Sequence, residues 1–411
     1  MQSKIQNPKP KIVIVGAGPA GTSAAIRLAT RGFQVILVER EKFPRQKLCG
    51  EFISPECFRH FQELGVLDKM FLKNGDRITE TIFYAPSGKS VSVPSKWFNA
   101  DEQGALGLSR AEMDFQLLER AKNVGVEVYK ETNVVGLIFE KDKICGLKVK
   151  NAVGQISEVS ADLVIDATGR ARILGKLAEK EVSRKDAKTQ RRKDQRSKVK
   201  DQRSKLIGFK AHLKNVNLEK GRCEIYFFRG GYGGLNYVEN GIGNHCFLMK
   251  AEVVKEFNGD VDRILHEVIF ENKRAAETLK NAIPVYHWLA VAVDGFGLKN
   301  LNPAPNILAI GDAGAFIDPF TGSGMLMAFE SAEILVQSIA ENSLSSQQIA
   351  EDYKIRHKQK FQKRLRVCSL MRRAAFVPNF AKIAISALSL SGKAREILAR
   401  STRQTFSINK K

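Results

Sequence analysis

Apolar and polar positions follow three different periods along this chain. Lys11 to Val15 and Gln34 to Val38 are short, unbroken apolar runs, the pattern of parallel strands buried on both faces. Thr22 to Arg31 between them predicts a helix, and Ala111 to Val124 predicts another. Strand-length stretches follow at Glu127 to Lys130, Val134 to Glu140, Lys143 to Lys150 and Asp162 to Ile165, giving an α/β pattern with an antiparallel excursion. Leu206 to Leu213, Cys223 to Phe228, Leu235 to Glu239 and Asn244 to Leu248 then predict strands separated by glycine-rich turns. They form a second, antiparallel sheet able to roof a pocket. From Gly324 the period becomes helical, and Gln347 to Arg403 reads as helix throughout apart from Pro378.

The turn after the first strand carries Gly16, Gly18, Ala20 and Gly21. Glycine at 16 permits a tight turn, at 18 it lets the backbone approach a pyrophosphate, and at 21 it lets the helix pack on the strand. The helix N-terminus offers that anion amide donors and a favourable dipole. Glu39 follows the second strand, 18 residues after Gly21, close to the roughly 20 expected of a carboxylate that accepts from an adenosine ribose. Arg40 beside it blurs NAD against NADP but leaves the assignment to a dinucleotide intact. A second glycine motif, Ile310 to Gly314 with Gly311 and Asp312, comes nearly three hundred residues later. Together the two point to FAD.

The 411 residues, 43% of them hydrophobic, suffice for two closely associated domains. No basic segment followed by an apolar one opens the chain, and no run approaches the roughly 18 uncharged apolar residues of a membrane span, so a cytoplasmic protein is expected. The six cysteines include no CxxC pair and the six histidines are scattered, which argues against a disulfide framework and a metal site alike. The net charge is +22, densest over Ser183 to Lys205, where Lys193 to Lys198 is echoed by Lys200 to Lys205. That segment has no aromatic residue on which bases would stack, so it is expected to be a solvated, disordered or helical insertion rather than a specific nucleic-acid site. In the tail, Phe376, Phe380, Ile383 and Leu388 mix with Arg372, Arg373, Lys382 and Lys393. This composition suits a helix that closes a domain or rests on a membrane surface, and it implies an apolar substrate.

Further motifs fall between and after the two signatures: Phe43 to Glu51 with Cys49 and Gly50, Ser109 to Asp114, Asp166 to Gly169, then Asp318-Pro319 and Gly322 to Gly324. In these residues the chain resembles the flavoprotein superfamily of p-hydroxybenzoate hydroxylase, particularly its geranylgeranyl reductase-like branch, over about residues 11 to 340. The resemblance implies a Rossmann-like FAD-binding domain interleaved with an antiparallel-sheet substrate domain and followed by a helical C-terminus. The expected FAD-binding domain is discontinuous, residues 1–80, 100–175 and 295–345. The expected substrate domain comprises residues 81–99 and 206–294, with the basic insertion at 183–205 and the helical region at 346–411.

By the same resemblance Arg110 lies near the FAD phosphates or ribityl chain, and Asp312 accepts from a ribityl hydroxyl. Gly322 and Gly324 lead the Met325 to Ala340 helix toward the isoalloxazine, and Cys49 stands beside it. Tyr232 is the second candidate for chemistry, able to line the pocket or donate a proton. Glu51 and Arg45 could guide substrate or proton traffic, though exposed charges in a loop usually only solvate it, and Trp97 and Trp288 read as packing residues. Archaeal isoprenoid reductases carry Tyr-x-Trp-x-Phe-Pro near Tyr232, whereas Gly234 replaces the tryptophan here and Asn236-Tyr237 the last pair. The Trp-x-Trp-x-Ile element of flavin halogenases is absent from the sequence. The first reading is an NADH- or NADPH-driven monooxygenase acting on a lipophilic or aromatic small molecule, favoured by the broken reductase motif and by glycine turns brought against the flavin. The second is a flavin-dependent reductase of isoprenoid-type double bonds, and the third an electron-transfer flavoprotein. No obligate protein partner is expected, and peripheral contact with a membrane is left open.

Overall fold

A computed structural model describes residues 10–98, 104–141, 143–189, 206–342, 345–377 and 380–402. Its centre is a five-stranded parallel sheet in the order Ile307–Ala309, Leu163–Asp166, Lys11–Val15, Gln34–Val38, Glu127–Tyr129. The middle strand is apolar on both faces because both are covered, and Ile12, Val13 and Ile14 are fully buried. On one face, helices Pro19–Ala29 and Gly324–Glu341 pack over Ile12, Ile14 and Leu37. On the other, Val13, Val15 and Ile36 meet Ile144 and Leu147 of a three-stranded antiparallel sheet and Leu174 of helix Ile173–Thr189. The basic stretch expected as an insertion begins inside that helix, and residues 190–205 lie outside the described ones.

A second sheet of eight strands combines Glu80–Tyr84 and Ser90–Pro94 with six later strands between Leu206 and Val293. It is antiparallel except where Glu80–Tyr84 runs parallel to Arg222–Phe228. One face buries Phe209, Tyr226, Phe247 and Met249 against Ile264, Val268 and Ala275 of short helices. Strand alternation turns the other face toward the first sheet's loops.

The glycine-rich turn expected between Phe228 and Leu235 is shortened by the fold to Arg229 and Gly230. Gly231, Gly233 and Gly234 lie inside the strand Gly231–Tyr237, paired on both sides. Close packing, not turning, requires two of them: a methyl on Gly231 would sit 2.3 Å from the Leu248 carbonyl oxygen, and one on Gly233 2.7 Å from the Phe247 Cβ.

The C-terminal region forms the helices Ser346–Ala375, Phe380–Ser389 and Gly392–Ser401. Pro378, expected as the single break, lies outside the described residues. A further break falls at Leu390 and Ser391, where the Ser391 hydroxyl accepts from the Ala394 amide and caps the last helix.

Candidate functional site

A cavity of about 740 Å³ runs from the ends of the parallel strands, between the two sheets, to the C-terminal helices. Of the candidate residues named from the sequence, Gly16, Gly18, Ala20, Glu39, Arg40, Cys49, Arg110, Tyr232, Gly311, Asp312, Gly322 and Gly324 all border it. Gly21 stands behind them, and its role is packing: a methyl there would meet the Gly16 carbonyl oxygen at 1.9 Å.

The glycine turn has the geometry a pyrophosphate needs. Gly16 has φ +103° and lies so close to Ala167 that a methyl would approach its carbonyl oxygen to 2.4 Å. A methyl on Gly18 would instead project toward open space, with the Arg110 guanidinium 4.0 Å away. Gly18 is also the N-cap of Pro19–Ala29, and no side chain caps that helix start. Helix Gly324–Glu341, behind Ser323, likewise starts with no side-chain cap. Two uncapped helix N-termini thus border one cavity, an arrangement suited to anionic groups.

Glu39 is held in place by backbone and Arg110 by a carboxylate partner. The Glu39 carboxylate accepts from Ala17 N at 2.7 Å and from Glu41 N at 2.8 Å, fixed by the turn it borders. Arg110 follows the N-cap Ser109 and makes a two-pronged bond to Asp114 at 2.9 and 2.7 Å. Burial opposes the Arg110 charge, but Asp114 and the neighbouring Cys49 hold its pKa above the ordinary arginine value. Arg45 also reaches Asp114, at 3.1 Å. Desolvation, then Arg45, Arg110, Arg40 and Arg170, lowers the Lys47 pKa, so this end of the cavity is cationic. Asp312, in the turn Gly311–Ala313, is one of the acids there; burial raises its pKa while Arg170, Arg110 and Lys47 pull it down.

Glu51 is corrected from a solvated loop charge to a fully buried one. Its carboxylate accepts from the Arg110 amide at 2.8 Å, from the Lys210 ammonium and, at 2.6 Å, from His212 Nε2. Despite burial, the bond from His212 and the charge of Lys210 hold its pKa below the usual carboxylate value. Lys210 also donates to Gln46 Oε1 and to the Lys47 carbonyl oxygen, both at 3.2 Å. Asn244 donates to the Cys49 carbonyl oxygen at 3.2 Å. The Cys49 loop is therefore tied to one face of the second sheet. A lysine and a histidine two positions apart in the otherwise apolar run Leu206 to Leu213 were the available signal, since that spacing puts both on one face of a strand.

Away from that polar end the cavity becomes apolar. Phe83, Val91, Phe227 and Leu248 of the second sheet face Phe320 and, from the last helices, Ile385 and Leu388. Tyr232 sits among them, its ring edge-on to Phe320 at 5.1 Å and to Phe376 at 5.9 Å. Its hydroxyl donates to Asp318 Oδ1 at 2.7 Å, and the other Asp318 oxygen lies 3.6 Å from Arg372 Nε. Burial first, and Asp318 second, raises the Tyr232 pKa well above its ordinary value. Trp288 packs edge-on to Phe247 at 5.7 Å. Among the described residues no cluster of His, Cys, Asp or Glu is arranged to hold a metal ion.

Residues 9–193 match the FAD binding domain family. The digeranylgeranylglycerophospholipid reductase of Methanosarcina acetivorans is 26% identical over 365 residues, covering 84% of this chain and 79% of that one. The tryptophan 2-halogenase of Chondromyces crocatus is 24% identical, covering 80% of this chain and 60% of that one. Among solved structures, a flavin-dependent brominase superposes with a TM-score of 0.74 at 19% identity, over 96% of this chain and 93% of that one. A geranylgeranyl bacteriochlorophyll reductase-like protein from Thermoplasma acidophilum superposes with a TM-score of 0.68 at 20% identity, over 97% and 93%. The structural likenesses establish the fold.

Proposed function

Because this chain belongs to the FAD-binding oxidoreductases, we propose that it is a flavin-dependent reductase of carbon–carbon double bonds in a lipophilic substrate. The observation that carries this reading is the continuity of one cavity, from the cationic glycine turn to an apolar lobe lined by Phe83, Phe227, Leu248, Phe320 and Ile385. The monooxygenase reading, placed first on the sequence, leaned on glycine turns near residue 232, and those glycines form a regular strand. The named isoprenoid reductases add support for the reversed order.

The cavity's residues suit FAD. Gly18 and the uncapped helix start would take the pyrophosphate with Arg110 beside it, Glu39 the adenosine ribose, and Asp312 a ribityl hydroxyl. The Gly322 to Gly324 segment would place the helix N-terminus beside the isoalloxazine. Bound FAD supplies the hydride for one alkene carbon, its own electrons coming from NADPH or NADH. The rest falls to the protein. Phe83, Phe227, Leu248 and Phe320 hold the alkene and exclude water. Cys49, which borders the cavity in a loop held by Asn244, would be the thiol that gives a proton to the second carbon. Tyr232 is assigned to positioning, because its only proton is committed to Asp318. Peripheral contact with a membrane belongs to the same proposal.

The test is anaerobic turnover of prenyl alcohols or prenyl lipids with NADPH or dithionite, read by mass spectrometry. A product two hydrogens heavier, formed without oxygen, is the expected result. A product that forms only in air and carries an oxygen atom from labelled O₂ would restore the monooxygenase reading.

A further inference from the structure

The reading of an apolar substrate leaves open how such a molecule reaches the cavity, and the C-terminal helices bear on that. Resting on that reading, we propose that the outer face of these helices docks on an anionic bilayer and passes the substrate inward.

Helix Phe380–Ser389 is apolar on two sides. Ala381, Ala384, Ile385 and Leu388, at spacings of three and four, border the cavity. Ile383 faces away, 68% exposed, and Leu390, just past the end of the helix, is 88% exposed. A surface helix of a soluble domain carries one apolar stripe, so large apolar residues exposed outside that stripe require their own explanation. The neighbouring helix adds Leu370, 70% exposed and itself a cavity residue, and beyond its end Val377 is 53% exposed. At Leu370 the cavity and the exposed apolar surface are continuous.

Charge selects the occupant. From Lys354 to Thr402 the sequence has thirteen Lys and Arg residues and one acid, Glu396. Arg366, Arg373, Lys382 and Lys393 are exposed around the apolar positions. Apolar residues ringed by cations suit the acyl boundary and headgroups of an anionic leaflet. A second copy would bring the same cations face to face. Among the described residues no helix is long and apolar enough to cross a membrane, so the contact lies on the surface.

The test uses the full chain and sedimentation with vesicles of phosphatidylcholine alone or mixed with phosphatidylglycerol. Wild type is expected to bind the anionic vesicles at least about tenfold better, and to lose that preference as salt shortens the screening length from about 10 Å at 0.1 M to about 3 Å at 1 M. The double variant Ile383→Asp, Leu390→Asp, whose positions do not border the cavity, is expected to lose at least about tenfold in vesicle affinity. It should keep the wild-type flavin content and its turnover of a short, water-soluble alkene. Vesicle binding unchanged by the double substitution would overturn the proposal, because attraction to the remaining basic residues alone would then account for it. A wild-type dimer in gel filtration that the substitutions disperse would also overturn it, assigning this face to a second copy. Absence of alkene reduction with vesicle binding still lost in the variant would sink the reductase reading and leave the docking surface standing.

Discussion

At the scale of single residues, two glycines of one turn do different work, in the roles the sequence motif assigns them. Gly21 is filled against by the Gly16 carbonyl, whereas Gly18 faces the cavity beside Arg110. Gly21→Ala is therefore expected to disrupt folding, seen as little or no soluble protein with a cooperative thermal transition. Gly18→Ala is expected to melt within a few degrees of wild type yet retain less than about a tenth of the flavin after gel filtration, because the added methyl enters the pyrophosphate's space. Equal flavin content in Gly18→Ala and wild type would refute that placement. Glu51 teaches the opposite lesson. Beside Gly50 in a loop it reads as a solvated charge, and only the strand carrying Lys210 and His212 makes it a buried, paired one.

At the scale of elements, long periodic segments were legible and glycine-rich ones were not. The strands Lys11–Val15, Gln34–Val38 and Lys143–Lys150 lie where the sequence places them, since unbroken apolar runs and β-branched residues have few alternatives. Gly231–Tyr237 was hidden because glycine signals a turn locally, while pairing with Arg222–Phe228 and Gly243–Lys250 overrides that preference. The helices after Val377 are where element and function meet, because they border the apolar lobe but none of the FAD-cradling candidates. Truncation after Val377 is expected to cut turnover of a prenyl substrate at least tenfold while flavin content, measured by absorbance, stays near wild type. A truncated protein as active as the full chain on that substrate would show that the last helices are not part of its pocket.

At the scale of the molecule, burial makes the fold sensitive to acid. Desolvation lowers the pKa values of His60, His245 and His357 to about 4. An unfolded histidine takes up a proton near pH 6.5, so between pH 6.5 and about 4 the unfolded chain binds more protons than the folded one. Stability is then complete above pH 6.5 and falls as pH drops through that window, by up to about 1.4 kcal/mol per pH unit for each group. Burial raises the carboxyl pKa values of Asp166, Asp312 and Asp318, which offsets part of the loss at the acid end. A difference between two proteins removes that offset. His357, 1% exposed between Tyr353 and Phe361, does not border the cavity. In His357→Gln the slope of unfolding free energy against pH, from urea melts between pH 5 and 6.5, is expected to be shallower by about 1 kcal/mol per unit. An unchanged slope would mean that His357 does not stay neutral in the folded state.

The sequence by itself determined the parallel core, the two glycine signatures and the FAD-binding assignment, because these rest on local spacing: strand, tight turn, helix start and carboxylate follow within about thirty residues. It also named Gly16, Gly18, Ala20, Glu39, Arg40, Cys49, Arg110, Gly311 and Asp312 as candidates among the residues that border the cavity, but not Lys47, Thr168 or Arg170. Only the tertiary structure decided that Glu51 is buried, that Tyr232 is bound to Asp318, and that strand, loop and C-terminal helix enclose one apolar lobe. Those relations join residues more than 80 and as many as 303 positions apart, as in Tyr232 with Asp318 and Arg395 with Ser92. No local period encodes such pairings, because register between sheets and helices is set by the packing of whole faces.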